Sequence, residues 1–391
     1  MFKKSLIALA IGGFGIGMTE FVMMGILPDV AKDLNVTIPQ AGHFISAYAL
    51  GVVIGAPILV AIAGNYSPKK ILLSLMIGFT VFNSLSVFAS SYGLMLISRL
   101  LSGLPHGAFF GVGAVVASRL VAKEKAASAV AMMFSGLTVA NIIGIPLGTY
   151  VGHNISWRYT FMIVVFIGLL TVIAIRFWLP KIEKSEPIPI KQALKIFKRT
   201  ELWLILAITA IGTGGFFAWY SYITPLLTEV SGFDNDMVIF ILMLAGLGMT
   251  CGNILGGKLA DSFSPIKATA ILLSAMTLCL ITISLIAPIQ WAMLLMVFVT
   301  GAFAFSTAPS IQMLMIKSAK ESEMLASSVN QAAFNIANAV GAFLGGLPIA
   351  AGYGYTSPEL VGACLAFGGI LLSISVMALR KKRAKQAAAQ A

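Results

Sequence analysis

Asn141-Ile142-Ile143-Gly144-Ile145-Pro146-Leu147-Gly148 is answered 197 residues later by Asn338-Ala339-Val340-Gly341-Ala342-Phe343-Leu344-Gly345. The asparagine and both glycines keep their spacing. The same shift pairs Pro28 with Pro225, Pro68 with Pro265 and Lys70 with Lys267. It also lays apolar runs on apolar runs: 5–28 on 202–225, 71–90 on 268–287, and 127–150 on 324–347. Isolated glycine and proline matches are expected by chance in a chain with 38 Gly and 15 Pro, but a register held across several runs and two loops is not. The chain therefore reads as a tandem duplication of 1–180 and 201–391. A charged linker at 181–200 joins them, with Lys181, Glu183, Lys184, Glu186, Pro187, Pro189, Lys191, Lys195, Lys198 and Arg199.

Composition says where such a duplication lives. Of 391 residues, 59% are hydrophobic and 10% charged, and the mean hydropathy is +0.96. A soluble domain has about 45–50% apolar and about 25% charged residues. Cytosolic enzymes, disulfide scaffolds and disordered chains are excluded. Twelve charge-poor runs are readable at 5–28, 41–64, 71–90, 93–118, 127–150, 159–179, 202–227, 237–259, 268–288, 291–316, 324–350 and 359–379. Each suffices to cross a hydrocarbon core of about 30 Å as a helix. Alternation of period two is absent, so a β-barrel is not supported. The expected fold is an all-α membrane protein of twelve transmembrane helices in two six-helix bundles.

An even number of spans puts both termini on one side. Of 26 basic residues, 22 fall on that side, only Lys32 and Arg158 on the other, and Arg99 and Arg176 within spans. The positive-inside rule then makes both termini cytoplasmic. The first run is too long for a signal peptide, contains Glu20 and lacks an A-x-A-like site, so it is expected to be retained.

Several chemistries are unsupported. Cys251, Cys279 and Cys364 sit inside apolar runs without metal spacing and read as small hydrophobes. The glycines from Gly12 to Gly17 match a dinucleotide fingerprint poorly and lie within a span. Walker motifs and a nucleophile–base set are missing. No cofactor, metal, nucleic-acid partner or enzymatic activity is expected, and the net charge of +12 belongs to the loops.

Four stretches carry a family resemblance: Glu20-Phe21 through Gly25-Ile26-Leu27-Pro28, Arg99-Leu100-Leu101-Ser102-Gly103-Leu104-Pro105-His106-Gly107, Gly136 through Gly148, and Trp157-Arg158-Tyr159-Thr160-Phe161. They resemble the drug:proton antiporter 1 group of the major facilitator superfamily, and most nearly the AraJ-type sugar-efflux and chloramphenicol-resistance permeases. The resemblance spans the chain and is strongest over 10–161. It implies a monomer in the bacterial inner membrane, a substrate site between parallel repeats, and a part for Arg99 in proton coupling. It also implies gating roles for Gly144, Pro146, Gly148, Asp261 and Lys267. Two departures stand out. The first-half loop Ala63-Gly64-Asn65-Tyr66-Ser67-Pro68-Lys69-Lys70 lacks the carboxylate that Gly257-Lys258-Leu259-Ala260-Asp261 keeps, and Ile145 separates Gly144 from Pro146.

Of 14 acidic residues only Glu20 lies well inside a span. A charge there costs at least ~2.5–3.5 kcal/mol, which marks it as functional by default. It is a candidate proton or substrate carrier; the alternative is a permanent ion pair with Arg99. By helical rise both lie roughly 10–12 Å below the outer surface. Arg99 reads as a coupling residue or as a packing charge satisfied by carbonyls. His106, seven residues on, shares its face and reads as a proton relay or a packing histidine. His43 and His153 read as interfacial. Asn141 and Asn338, with Gln331 and Asn335 at i, i+4, i+7 spacing, suit a neutral polar ligand or interhelical bonding. Trp219, Tyr220 and Tyr222 read as a cavity rim or as membrane-interface aromatics.

The resulting expectation is a proton-coupled exporter of a small molecule, sugar or drug-like, working in a lipid bilayer. One inward proton supports a gradient of roughly fifty-fold per 100 mV. The alternatives are an importer or facilitator of the same fold, and a non-transporting membrane sensor.

Overall fold

The structure is a computed structural model. It describes residues 2–36, 38–63, 66–182 and 194–390. The expected linker residues 183–193 and the loop residues Gly64 and Asn65 lie outside the described residues.

The described chain is helical. In hydrocarbon every backbone N–H and C=O must be paired within its own segment, and the helix does this. We label the long helices in order: α1 (Phe2–Gly25), α2 (Ile38–Ala63), α3 (Pro68–Val87) and α4 (Tyr92–Arg119). α5 runs through Ala126–Val139, a π-helical turn at Ala140–Gly144, and Ile145–Val151; α6 is Trp157–Trp178. α7 comprises Thr200–Ala207, a π turn at Ile208–Gly212, and Gly214–Tyr220. α8 (Asn235–Ser262), α9 (Pro265–Ile286), α10 (Gln290–Ser318), α11 (Glu323–Ala350) and α12 (Ser357–Gln390) follow.

Eleven stretches of the described residues are long and apolar enough to cross a membrane. One of them, Lys123–Trp178, has 56 residues, more than twice what a crossing needs. It reverses at Gly152–Ser156, where the Thr160 hydroxyl donates to the Gly148 carbonyl at 2.7 Å. The protein is thus a multi-pass membrane protein with twelve crossings, as the apolar runs implied. Large apolar side chains such as Phe177 and Leu285, each 76% exposed, cover the outside, as a hydrocarbon solvent requires.

Helix starts repeat with the duplication. Pro68 and Pro265 each occupy the first turn, after Ser67 and Ser264 with extended backbone (ψ 145° and 141°). Proline suits that position because its missing N–H has no partner there anyway. Lys69 then reaches the end of α6, donating to the Arg176 carbonyl at 2.9 Å and to the Leu179 carbonyl.

The chain divides into two compact units. The first is Met1–Ala193 with Glu321–Ala332; the second is Leu194–Lys320 with Ala333–Ala391. α11 is therefore shared. Its opening turns belong with the first unit because Arg119 pairs with Glu323 at 2.6 Å and Ser327 donates to the Gly111 carbonyl at 2.8 Å. In the second unit Glu201 of α7 binds Arg380 and Arg383 of α12, each at 2.8 Å.

Candidate functional site

In the first unit, α2 and α4 touch backbone to backbone. A Cβ on Gly51 would overlap the Leu100 carbonyl, one on Gly55 the Leu104 backbone, and one on Gly103 the Tyr48 carbonyl. Small residues at four-residue spacing permit this approach. Side chains beside the seam are pressed together. The Tyr48 ring lies 4.4 Å from the Arg99 guanidinium carbon, and its hydroxyl is 3.2 Å from His106 Nδ1. Tyr48 thus bridges two α4 residues that stand two turns apart. Beyond His106 come Phe110, with ring centres 5.3 Å apart, and Phe134, stacked on Phe110 at 4.9 Å.

Arg99 is wholly buried. Its Nη1 donates to Thr19 Oγ1 and its Nη2 to the Thr19 carbonyl, both at 3.0 Å. The Thr19 hydroxyl donates to Asn83 Oδ1 at 2.7 Å, and Asn83 Nδ2 donates to the Phe79 carbonyl at 2.8 Å. These acceptors are all neutral. Arg99 Nε has no partner, and the Phe161 ring centre lies 5.7 Å from the guanidinium carbon.

Glu20 follows Thr19 on α1. It is half-buried and, among the described residues, joins no hydrogen bond or ion pair. It lies within electrostatic reach of Arg99 and Tyr48. The permanent Glu20–Arg99 pair admitted by the sequence is not formed; the two terminal guanidinium nitrogens donate to Thr19 instead. A cation that cannot lose its proton therefore stands beside a carboxyl free to gain one. Protonating Glu20 changes the cluster from neutral to singly positive, and in these low-dielectric surroundings neighbouring charges and dipoles feel it strongly.

The other expected residues are placed as follows. Gln331 is buried and belongs to the first unit; its Cβ would stand 3.4 Å from a Cβ on Gly107, next to His106. Asn141 is half-buried in the π turn of α5 and donates to the Leu137 carbonyl at 3.2 Å. Gly144 and Gly148 pack on Met18 of α1, with the half-buried Pro146 between them. Asn335 and Asn338, both half-buried on α11, fall in the second unit. Trp219 is wholly buried within an aromatic group in which Phe216 stacks on Tyr220 at 5.0 Å and meets Phe305 at 5.5 Å. The Tyr222 hydroxyl donates to the Ala342 carbonyl at 2.8 Å, tying its turn to α11. Asp261 is half-buried in the last turn of α8, and Lys267 is exposed in the first turn of α9. His43 is 2.7 Å from the Tyr92 hydroxyl, and His153 is 2.6 Å from Asp29.

The sequence reading did not single out Tyr48, Thr19 or Asn83. The pairing of Gly51-x-x-x-Gly55 with Gly103-x-x-x-Gly107 was the available signal for the seam that brings Tyr48 to Arg99.

The second unit builds the same seam with other side chains. A Cβ on Gly248, Gly252 or Gly301 would crowd Phe298, Ala302 or Ala245. Gly103 and Gly301 meet equivalent carbonyls, so α4 and α10 correspond at a shift of 198, one more than the rest of the repeat. In this register Arg99 corresponds to Val297 and His106 to Ala304. At the shift of 197, Tyr48 corresponds to Ala245 and Glu20 to Phe217.

Helical bundles with a polar cluster sealed among crossing helices are the build of a multi-pass membrane protein, and comparison with known proteins makes it a transporter. The chain belongs to the Major Facilitator Superfamily, whose family model matches residues 9–342. It is 40% identical over 368 residues to the putative transporter AraJ of Escherichia coli K12, covering 94% of this chain and 93% of that protein. It is 41% identical over 377 residues to the inner membrane transport protein YdhP of the same strain, covering 96% of each. A chloramphenicol resistance protein of Streptomyces lividans is 27% identical over 373 residues, covering 94% and 93%. Among solved structures, the E. coli fucose:proton symporter FucP superposes with a TM-score of 0.78 at 18% identity, covering 95% of this chain and 98% of that one. This last likeness bears on the fold alone. The relatives agree with an inner-membrane location.

Proposed function

We propose that the protein is a proton-coupled secondary transporter that exports a small polar or drug-like molecule by alternating access, with both termini cytoplasmic. Glu20 is the coupling group: it takes a proton, the charge of the Arg99–Tyr48–His106 cluster changes, and that change biases which side of the protein opens. The observation that carries this reading is a carboxyl without hydrogen bond or ion pair, next to a fully buried arginine whose acceptors are neutral. An unpaired charge among transmembrane helices is costly enough that packing alone does not account for it. Support for export comes from the named chloramphenicol-resistance and sugar-efflux relatives. Gln331, Asn335 and Asn338 along one face of α11, with Asn141, are the proposed contacts for the substrate's polar groups.

The test uses purified protein. A thermal-shift screen of sugars, amphenicols and nucleosides identifies a ligand class. Inside-out vesicles, acidic inside, are then given that ligand in labelled form. Accumulation that collapses with the pH gradient supports the reading. Uptake that equilibrates regardless of the gradient rejects proton coupling, and accumulation only with the reversed gradient makes the protein an importer.

A further inference from the structure

Arg99, His106 and Glu359 are the buried members of the Arg, Lys, His, Asp and Glu set among the described residues. The first two belong to the cluster in the first unit. Glu359 belongs to the second, on the third residue of α12, 1% exposed and with no partner for its Oε2. Counting from span ends hides it, since it opens the last apolar run.

Helix register shows where it lies. α7 and α12 cross antiparallel on glycines. A Cβ on Gly212 would meet Gly369, and a Cβ on Gly215 would meet the Gly362 carbonyl. Trp219 stands one turn beyond Gly215, and Glu359 one turn before Gly362. Residues one turn apart share a helix face, and the helices run antiparallel, so both positions lie on the seam faces of their helices at the same end of the crossing. Trp219 is 0% exposed and its Nε1 also lacks a partner. An indole N–H without a partner and a carboxyl bonded only to its own backbone N–H, with Oε2 unpaired, are thus sealed at one end of an otherwise apolar seam.

We propose that Glu359 is a second proton-binding site, housed in the unit that lacks the Glu20 cluster. Sealing an unpaired carboxylate costs several kcal/mol, far more than sealing the neutral acid. The group also sits in the first turn of a long helix, whose N-terminal dipole favours the anion. The two influences oppose each other, so both protonation states are within reach. The chain just before α12 is exposed at Gly352, Tyr353 and Gly354, so Glu359 lies close in sequence to the surface end of the seam. Among the described residues, the ionisable groups on the helices packed closely against α12 are Glu201 and Tyr220 on α7, and Lys267 and Cys279 on α9. Glu201 is held by Arg380, 21 residues along α12 and about 32 Å away by helical rise. Lys267 lies in the opposite end turn of α9, and Tyr220 stacks on Phe216. No charge at the level of Glu359 competes for the site. The first unit has no equivalent acid, since the residue 197 positions earlier is Met162.

The test needs no substrate and is independent of the transport reading. Full-length protein in detergent is titrated with acid and base while tryptophan emission and the infrared band of protonated carboxyls are recorded. The expected result is an emission transition and a titrating band in the natural protein. Glu359→Gln loses the emission transition and one titrating component of the band, Glu20→Gln keeps both, and Trp219→Phe removes the emission transition and moves that component. Glutamine retains the shape and the helix-start bonding of glutamate, so a purely structural role would leave both signals in place. Either signal surviving unchanged in Glu359→Gln overturns the proposal. Should that variant fail to fold, Glu359→Asp and Trp219→Phe decide on the infrared band, and a band moved by neither overturns it as well.

Discussion

The two halves of the molecule share a scaffold and differ in what they put on it. α2 meets α4, and α8 meets α10, through the same glycine seam. In the first half Tyr48, Arg99 and His106 line that seam; in the second, Ala245, Val297 and Ala304 do. Thr19 and Glu20 of α1 are answered by Phe216 and Phe217 of α7. The second half thus demonstrates that the helices pack with no ion at the contact. The charges of the first half are not needed for the fold, and they carry a cost of at least ~2.5–3.5 kcal/mol in a bilayer. That excess is the physical argument for their function.

Substitutions at matched positions sharpen or break this contrast. The largest effect is expected for Arg99→Met, which should reduce gradient-driven transport by about 100-fold or more, equivalent to ~2.8 kcal/mol. Val297→Ala should change the same rate by less than about threefold. Equal losses at both positions would mean that the seam, not the charge, carries transport. Next comes Gly103→Ala. Its Cβ would press on the Tyr48 carbonyl and the Val52 amide, whereas in Gly301→Ala only the Ala245 carbonyl is crowded. Overpacking of this kind costs about 1–3 kcal/mol, so thermal unfolding in detergent should show a larger loss for Gly103→Ala.

Tyr48→Phe removes the hydroxyl bridging to His106, a bond worth about 0.5–1.5 kcal/mol. Transport should fall by up to about tenfold and stability by about 0.5–1.5 kcal/mol, and unchanged transport would reduce Tyr48 to packing. The smallest effect is expected for Tyr222→Phe. Loss of its bond to the Ala342 carbonyl should lower stability by about 0.6 kcal/mol, typical between helices in lipid, with transport kept within about twofold.

The fold was legible in the sequence because lipid reduces the options to apolar helices of fixed length. The 197-residue shift then exposed the duplication without any further rule. The reversal inside Lys123–Trp178 was also readable from Arg158, a lone cation between two apolar runs. The site was legible in part. Glu20, Arg99 and His106 stand out as charges in apolar runs, but their partners do not. Thr19 and Asn83 are ordinary polar residues until α1, α3 and α4 meet around them, and Tyr48 becomes a bridge only through backbone contact at Gly103. The one-residue slip of α10 relative to α4 has no sequence signal, because the short loop before each helix absorbs it. Glu359 escaped because depth was counted along the chain and it opens the last apolar run, whereas its burial comes from tertiary packing at the start of α12.

The central claim is that Glu20 couples proton movement to substrate movement. The most direct measurement compares the natural protein with Glu20→Gln in vesicles, under an imposed pH gradient and in substrate exchange without one. The account predicts that Glu20→Gln abolishes gradient-driven accumulation and leaves exchange running. Accumulation at the natural rate in Glu20→Gln would contradict it.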